Sequence, residues 1–520
     1  MKVRAVRKRF QNQTNSMVCR VSTLDSTFGI PKAALIFCID NGAELNAFDT
    51  TGTTARNMTI GSFSHRWNAT VGPFQHAIVI GDAGAATTSI RGNSTSRLFT
   101  LSNTARAAYW QGTSGAFYNS GIQFNLSKGT LPGSVTSFDM VVVFFGGLGL
   151  TAGNGYTGLS QTVETDRIID NFSFQPDVAL VSFVGDLTGL DVSAAAGAPL
   201  SWGAAQRVTT GVEQYYSIWA EYNNSATVDV RAGIGSEMVA KRISASGAAL
   251  PPNTSAGSGG SIYSFDANGF TMRTTLASQA AATHNFGYLL LKDYRSRFKV
   301  GTFRSPGGTG STFVNVGFVP QFVMGSSVGG TLFQVQWDTQ KEASGLNYWF
   351  ANGPASNNRY FKGSGTITCV STGTAVTGTG SSFFDEVSHG DILYGPDYQS
   401  IGTVSSVGST TSVTLAANAG VSLAAGSNYF INNSGQYSIV FGDEDAAADS
   451  TAYSGIMTSS PVFSTSSSGT PSNYMHAAFI TFDSRPGFTV NYNTTDSSGR
   501  LSWYIAFEAE PRQARRQSGI

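Results

Sequence analysis

Short apolar runs bounded by Gly, Asn, Asp or Ser recur along the whole chain, and none carries a helical period. ALIFCI at 34–39, MVVVFF at 140–145, GYLLL at 287–291 and WYIAF at 503–507 are β-branched or aromatic stretches of strand length. No long window places apolar residues at i, i+3, i+4 and i+7 with charges on the opposite face. The pattern predicts an all-β protein.

The runs also repeat in order. Three segments set a proline just before an apolar strand: FGIPKAALIFC with Pro31, FQPDVALVSF with Pro176 and FVPQFVMGSS with Pro320. A strand start tolerates the missing N–H. Each is followed by a strand running into a polar turn, from Ala77, Ser217 and Ser438, and then by a pair of aromatics: Phe117 with Phe124, Phe265 with Phe270, Phe482 with Phe488. Each unit ends in a strongly apolar strand, FDMVVVFF, NFGYLLLKD or LSWYIAFEAE. Four landmarks in one order, three times over, predict three homologous domains. From the proline to the second landmark the chain advances 46 positions in the first unit, 41 in the second and 118 in the third. The third unit therefore holds an insertion of about 72–77 residues, whose short strands and Gly, Ser and Thr turns predict a small barrel.

The expected fold is all-β, with three tandem β-sandwich-like repeat domains and a small β-barrel inserted in the third. The expected boundaries are a basic N-terminal arm and lead-in strand at 1–27, β-domains at 28–150 and 151–300, and a third domain from 301–361 and 435–510. The barrel takes 362–434 and a basic tail 511–520.

Composition narrows the function more than it names it. Of 520 residues only 12% are charged, 32 basic against 32 acidic, while Gly numbers 60 and aromatics make up 12%. Such a chain can build cores, lacks the basic excess of a nucleic-acid binder, and suits sheets joined by tight turns. Cys19, Cys38 and Cys369 make no disulfide framework or metal spacing and read as small core residues. The basic start lacks the apolar stretch of a signal peptide, and nothing approaches a membrane-spanning helix. Lys2, Arg4, Arg7, Lys8 and Arg9 cluster at one end and Arg512, Arg515 and Arg516 at the other. They read either as solvated tails or as arms that order against an acidic neighbouring subunit, and they are the candidate partner-binding residues.

Chemistry-bearing residues are sparse. His65, His76, His284, His389 and His476 stand outside motif spacing of one another, so neither metal nor cofactor is expected. GSSVG at 325–329 matches G-x-S-x-G, but TLFQVQW follows where a nucleophile elbow needs a helix. GGLGLTAGNG at 146–155 also lacks a following helix and reads as a hairpin turn. Asp443, Glu444 and Asp445, with Asp82 and Glu221 at matching places, could serve as a glycosidase pair or as calcium ligands. Their recurrence in every unit favours strand-ending turns. Asp385, Glu386, Asp391 and Asp293 read likewise. Trp219 and Trp503 sit in apolar strands and are expected in the core. Trp110, Trp202 and Trp349, near turns, are candidates to face outward and stack on sugars; Trp67 and Trp337 stay unassigned.

The unit formed by F-x-P before a hydrophobic strand, then F-D-x-x-G-F, then W-Y-I-A-F resembles β-repeat domains in structural and tail-associated proteins of tailed bacteriophages. The second and third units carry it (FQPDVALVSF with SIYSFDANGFTM; FVPQFVMG with ITFDSRPGFTV and SWYIAFEAE), while the first departs from it with IPKAALIF and FYNSGIQF. The insert resembles a small β-module of phage tail proteins. The resemblance implies a virion component with no defined active site, and no functional residues carry over. The expectation is a non-enzymatic structural protein of the virion, made in the host bacterial cytoplasm and associated with the tail, baseplate or fibre. It would assemble as a homo-oligomer through sheet edges and contact other virion proteins, with a host surface glycan as a further candidate partner. A head-decoration protein and a carbohydrate-binding or polysaccharide-cleaving tail protein are the alternatives.

Overall fold

The computed structural model describes residues 1–11, 16–23, 25, 27–40, 48–51, 56–65, 74–82, 89–102, 108–130, 137–159, 162–184, 193–195, 198–221, 230–236, 240–241, 259–276, 284–294, 297–328, 344–353, 360–432, 435–443, 452–458, 462–465, 474–482, 484–495 and 501–508. Among these residues, apart from the single turn of helix at Phe383–Glu386, the regular structure is all strand. The described residues form three sandwiches, within 2–146, 150–293 and 298–508, each with ten described strands of its own in two antiparallel sheets. The order is the same in all three. The large sheet runs first, tenth, third, fourth, fifth, sixth; the small sheet runs second, ninth, eighth, seventh. Residues 360–432 leave the third sandwich between its fourth and fifth strands and form an eight-stranded sheet around a separate core. Its end strands, Tyr360–Lys362 and Leu423–Ser427, do not pair with each other, so it is a half-barrel rather than a closed barrel.

Three boundaries differ from those expected. In each sandwich the strand that pairs with the last one precedes the proline, so Lys2–Gln11, Leu150–Leu159 and Phe298–Arg304 open their units. The segment 1–27 is therefore part of the first sandwich rather than an arm. Within the Gly-rich run 146–155 the turn is confined to 147–149, with Gly147 at φ 102°, and it joins two sandwiches instead of closing a hairpin. Tyr360 already belongs to the half-barrel.

Each large sheet is covered on both faces, which explains the unbroken apolar runs. On the strand Ala33–Asp40, Ala34, Ile36 and Cys38 point into the first sandwich's own core. Ala33, Leu35, Phe37 and Ile39 point the other way, into a core shared by all three large sheets. The shared core gathers Val141, Val143 and Phe145 from the first sandwich, Leu180, Trp202 and Leu289 from the second, and Met324, Tyr348 and Trp503 from the third. At its centre the ring of Phe37 lies 5.4 Å from Trp202 and 5.5 Å from Tyr348, while Trp202 lies 5.1 Å from Tyr348 and 4.7 Å from Trp503. The three large sheets thus face inward about a quasi-threefold axis.

Polar clamps recur where one sandwich meets the next. Ser64, Gln206 and Asn352 occupy matching cross-strand positions, opposite Ala33, Val178 and Phe322. Each reaches the first strand of the following unit. Gln206 donates to Phe298 O at 2.6 Å and accepts from Val300 N at 3.0 Å. Asn352 donates to Ala5 O at 3.0 Å and accepts from Ala5 N at 2.9 Å. At the third junction Ser64 Oγ donates to Asn154 Oδ1 at 2.6 Å. Backbone groups on an exposed edge would otherwise be left to water or to another chain. Two of the opposite edges are blunted by short exchanged strands. Ser193–Ala195 of the second unit pairs with Ser89–Ser94 of the first, and Phe48–Thr51 of the first pairs with Ala452–Met457 of the third. The matching edge of the second unit, Val230–Ser236, has no such partner among the described residues.

His76 marks the junction of the first two sandwiches. It is buried, contacts Asn93 Oδ1 through Nε2 at 2.8 Å and stacks on Tyr156 with centroids 5.3 Å apart. Gly287 leaves the space for its ring, since a Cβ there would run into His76 Nδ1. Burial pulls this imidazole down to about 4, below its ordinary 6.5. Between those values the unfolded chain binds the proton and the folded chain does not. Stability from His76 is therefore complete above pH 6.5 and falls by about 3 kcal/mol on going to pH 4. Urea unfolding across this range should show that loss, and His76→Gln should flatten it; an unchanged pH profile contradicts the assignment. Gln206→Ala and Asn352→Ala should each cost about 1–3 kcal/mol in the same measurement.

Candidate functional site

The basic N-terminal residues do not form an arm. The strand Lys2–Gln11 pairs with Ser137–Gly146 along its full length. Val3 and Ala5 enter the shared core, and Val6 and Phe10 enter the first sandwich's core. Alternation thus anchors the strand, and Arg4, Arg7 and Lys8 end up under the half-barrel. Arg4 is 5% exposed, Arg7 3%, Lys8 4% and Arg9 7%. The Arg4 guanidinium lies 3.9 Å from the centroid of Phe361. Arg7 donates to the backbone oxygen of His389 and lies 3.6 Å from Asp391. Lys8 Nζ donates to Val387 O at 2.6 Å. Arg9 turns inward, 3.5 Å from Asp139, and donates to Ser137 Oγ at 3.1 Å. Lys2 donates to Thr27 O. The partner of this basic cluster is therefore the chain's own insert, which leaves the third sandwich and seats on the first. Arg512, Arg515 and Arg516 lie outside the described residues.

The acidic residues of the insert complete the seat. Asp391 accepts from Ser388 N at 2.7 Å, and Glu386 accepts from Ser364 N and from the Tyr429 hydroxyl, both at 3.0 Å. Burial pushes the Asp391 carboxyl up to about 6 in spite of Arg7 and Lys8, and burial pulls Lys8 down to about 8. Both shifts say that desolvation outweighs the attraction, so the cluster fixes where the insert sits rather than adding much net stability. Asp293 lies 2.6 Å from the Met1 amino nitrogen. Glu444 and Asp445 lie outside the described residues, as do the side chains of Asp82, Glu221 and Asp443.

Other expected positions resolve into packing. Trp110, Trp202 and Trp349 are buried with Trp219 and Trp503, so none of the three offers an outward platform. Turn neighbours in sequence did not reveal that both faces of each large sheet are covered. Trp67 and Trp337 lie outside the described residues. Ser327 of GSSVG is buried near the end of the strand Pro320–Val328, its hydroxyl 2.7 Å from that of Ser502. Cys19, Cys38 and Cys369 are buried and unbonded to each other. Among the described residues no group of three or more His, Cys, Asp or Glu is placed to hold a metal ion. No helix among them is long and apolar enough to cross a membrane. His65 is exposed and His389 is half-buried, and the side chains of His284 and His476 are not described.

Two polar clusters escaped the sequence. Asp40 accepts from Asn57 N at 2.8 Å, from Asn57 Nδ2 at 2.9 Å and from the Tyr109 hydroxyl, tying the two sheets of the first sandwich together. Burial raises the Asp40 carboxyl and raises the Tyr109 phenol. All three side chains are closed to solvent, so a substrate cannot reach them. An open groove of about 380 Å³ lies between the second and third sandwiches, lined by Asp177, Gln206, Arg207, Asp293, Arg297 and Phe298 among others. Arg207 pairs with Asp177 at 2.5 Å and Arg297 with Glu508 at 2.7 Å. A lone carboxylate near 40 or a charge near 207 carries no sequence signal, because its partner is distant in the chain.

The seat of the insert is testable by truncation. Arg7→Ala leaves Asp391 buried without its guanidinium and should destabilise the chain by about 3 kcal/mol. Hydrogen exchange should then show the loss of protection concentrated in 360–432. Unaltered protection there would mean that the contact does not hold the insert. No protein-family model, curated protein or solved structure matches this chain.

Proposed function

We propose that the chain is a non-enzymatic structural component of a bacteriophage virion, associated with the tail, baseplate or fibre. The observation that carries this reading is the single body made of three like sandwiches around one core. Such a body presents three related outer faces, which suits the threefold- and sixfold-symmetric parts of a particle. The resemblance of the repeats to phage β-domains supports the same reading. So does the setting of the polar clusters: Asp40 with Tyr109, and Arg7 with Asp391, each tie one element to another.

Self-association through sheet edges is narrowed by the exchanged strands. Two of the three outer edges of the large sheets are occupied from within the chain. With those two edges blunted by strands of three and four residues, other virion proteins are favoured over further copies of the chain as partners.

Mass spectrometry of purified particles, with immunogold labelling, tests the location. The expected result is the chain present in tens of copies or fewer on the tail structure. Hundreds of copies on the head would support decoration instead, and absence from particles would end the virion reading. Light scattering on the purified chain should return one chain of 54.7 kDa; a trimer or hexamer would restore assembly through copies of itself.

A further inference from the structure

We propose that the outer face of the inserted half-barrel binds carbohydrate, stacking the C–H face of a neutral pyranose on Tyr360 and Tyr398. On the strands Tyr360–Lys362, Ile392–Tyr394 and Phe430–Asn432 the residues Phe361, Leu393 and Ile431 share one face and are buried. Tyr360, Tyr394 and Phe430 lie on the other face, where Tyr398 joins them from the turn at 395–399. Tyr360 stands 4.9 Å from both Tyr394 and Tyr398, and Tyr398 lies 4.7 Å from Phe430. The four rings form one contiguous surface cluster.

Two features separate this cluster from packing. Tyr398 is 53% exposed and Tyr360 37%, whereas the tryptophans described in the chain are buried. Tyr398 also holds φ at 57°, a left-handed conformation that costs a non-glycine side chain free energy. The residue is more than half exposed, so burial offsets little of that cost. A tyrosine held there acts through the face it presents.

The chemistry of the surroundings selects the ligand. Tyrosine combines an apolar face with a hydroxyl, which matches a sugar ring bearing C–H faces and hydroxyl edges. Asp397 and Gln399 are exposed beside the rings and Asn432 is half-buried next to Tyr360, supplying acceptors and donors around the stack. At 53% and 37% exposure the two tyrosines leave roughly 200 Å² of residue surface open, the scale of one or two sugar units. A stable protein partner needs about 800 Å² per side. Oligosaccharide is therefore the occupant the patch fits.

The proposal goes beyond the virion reading and stands on the purified chain alone. Saturation-transfer NMR and calorimetry with the full chain would use maltohexaose, cellohexaose, chitohexaose, mannohexaose and a galactan hexasaccharide as probes. At least one should bind with a millimolar or tighter Kd. Tyr360→Ala and Tyr398→Gly should each weaken it about tenfold or more. Glycine accepts the turn conformation at 398, so Tyr398→Gly should melt at the same temperature as the parent or higher. Failure of all five probes to bind at millimolar concentration would overturn the proposal. Equal binding by the parent and by a folded Tyr398→Gly would do so as well. Neither outcome bears on whether the chain is found in particles.

Discussion

The mutual packing of Phe37, Trp202, Tyr348 and Trp503 is the contact on which the three sandwiches depend. Three nearly identical sheets cannot all send a large ring to one axis, because the rings would collide. The rows that meet there resolve the conflict by volume. Phe37 lies between Val141 and Ile60, Ser182 between Gly287 and Trp202, and Ser326 between Trp503 and Tyr348. Large side chains from one sandwich fill the space left by serine or glycine in another. A symmetric backbone is thus filled by an asymmetric set of side chains, which no sandwich could reproduce alone.

The edges follow from that arrangement. Facing three sheets inward brings the first strand of each unit beside the fourth strand of its neighbour, where Ser64, Gln206 and Asn352 satisfy or cover its polar groups. Edge strands are a hazard in any all-β protein, and here side-chain clamps cover one side while short exchanged strands blunt two of the three edges on the other. The quasi-symmetry is broken by the half-barrel. It departs from the third sandwich and sits on the first, held by Arg4, Arg7 and Lys8. One of the three outer faces therefore differs from the other two.

Strand identity and the repeat were legible because they rest on local patterns. Pro31, Pro176 and Pro320 stand just before or at the start of equivalent strands, and ALIFCI and MVVVFF are strands with both faces covered. The unbroken apolar character of those runs already implied a second covering layer, a signal that points to the shared core. The basic strand was hidden because Arg4, Arg7, Lys8 and Arg9 mask the alternation of Val3, Ala5, Val6 and Phe10. The partners of Arg4 and Arg7, namely Phe361, His389 and Asp391, lie more than 350 residues away in the chain. Trp110, Trp202 and Trp349 misled for the same reason, since nearness to a turn says nothing about which layer covers a strand. The surface ring cluster drew no notice because its four members come from three strands and a turn.

A structural role, a seated insert and an exposed aromatic patch are consistent with one picture: a rigid block that holds an appended surface in a fixed position. That picture rests on the three sandwiches behaving as one cooperative unit. Hydrogen exchange on Trp202→Ala, compared with the parent chain, tests it directly. Removing this ring should cost about 3–5 kcal/mol, and protection should fall together in the third strands of all three sandwiches, Ala33–Asp40, Val178–Val184 and Pro320–Val328. Loss confined to the second sandwich would show three independent domains and contradict the account.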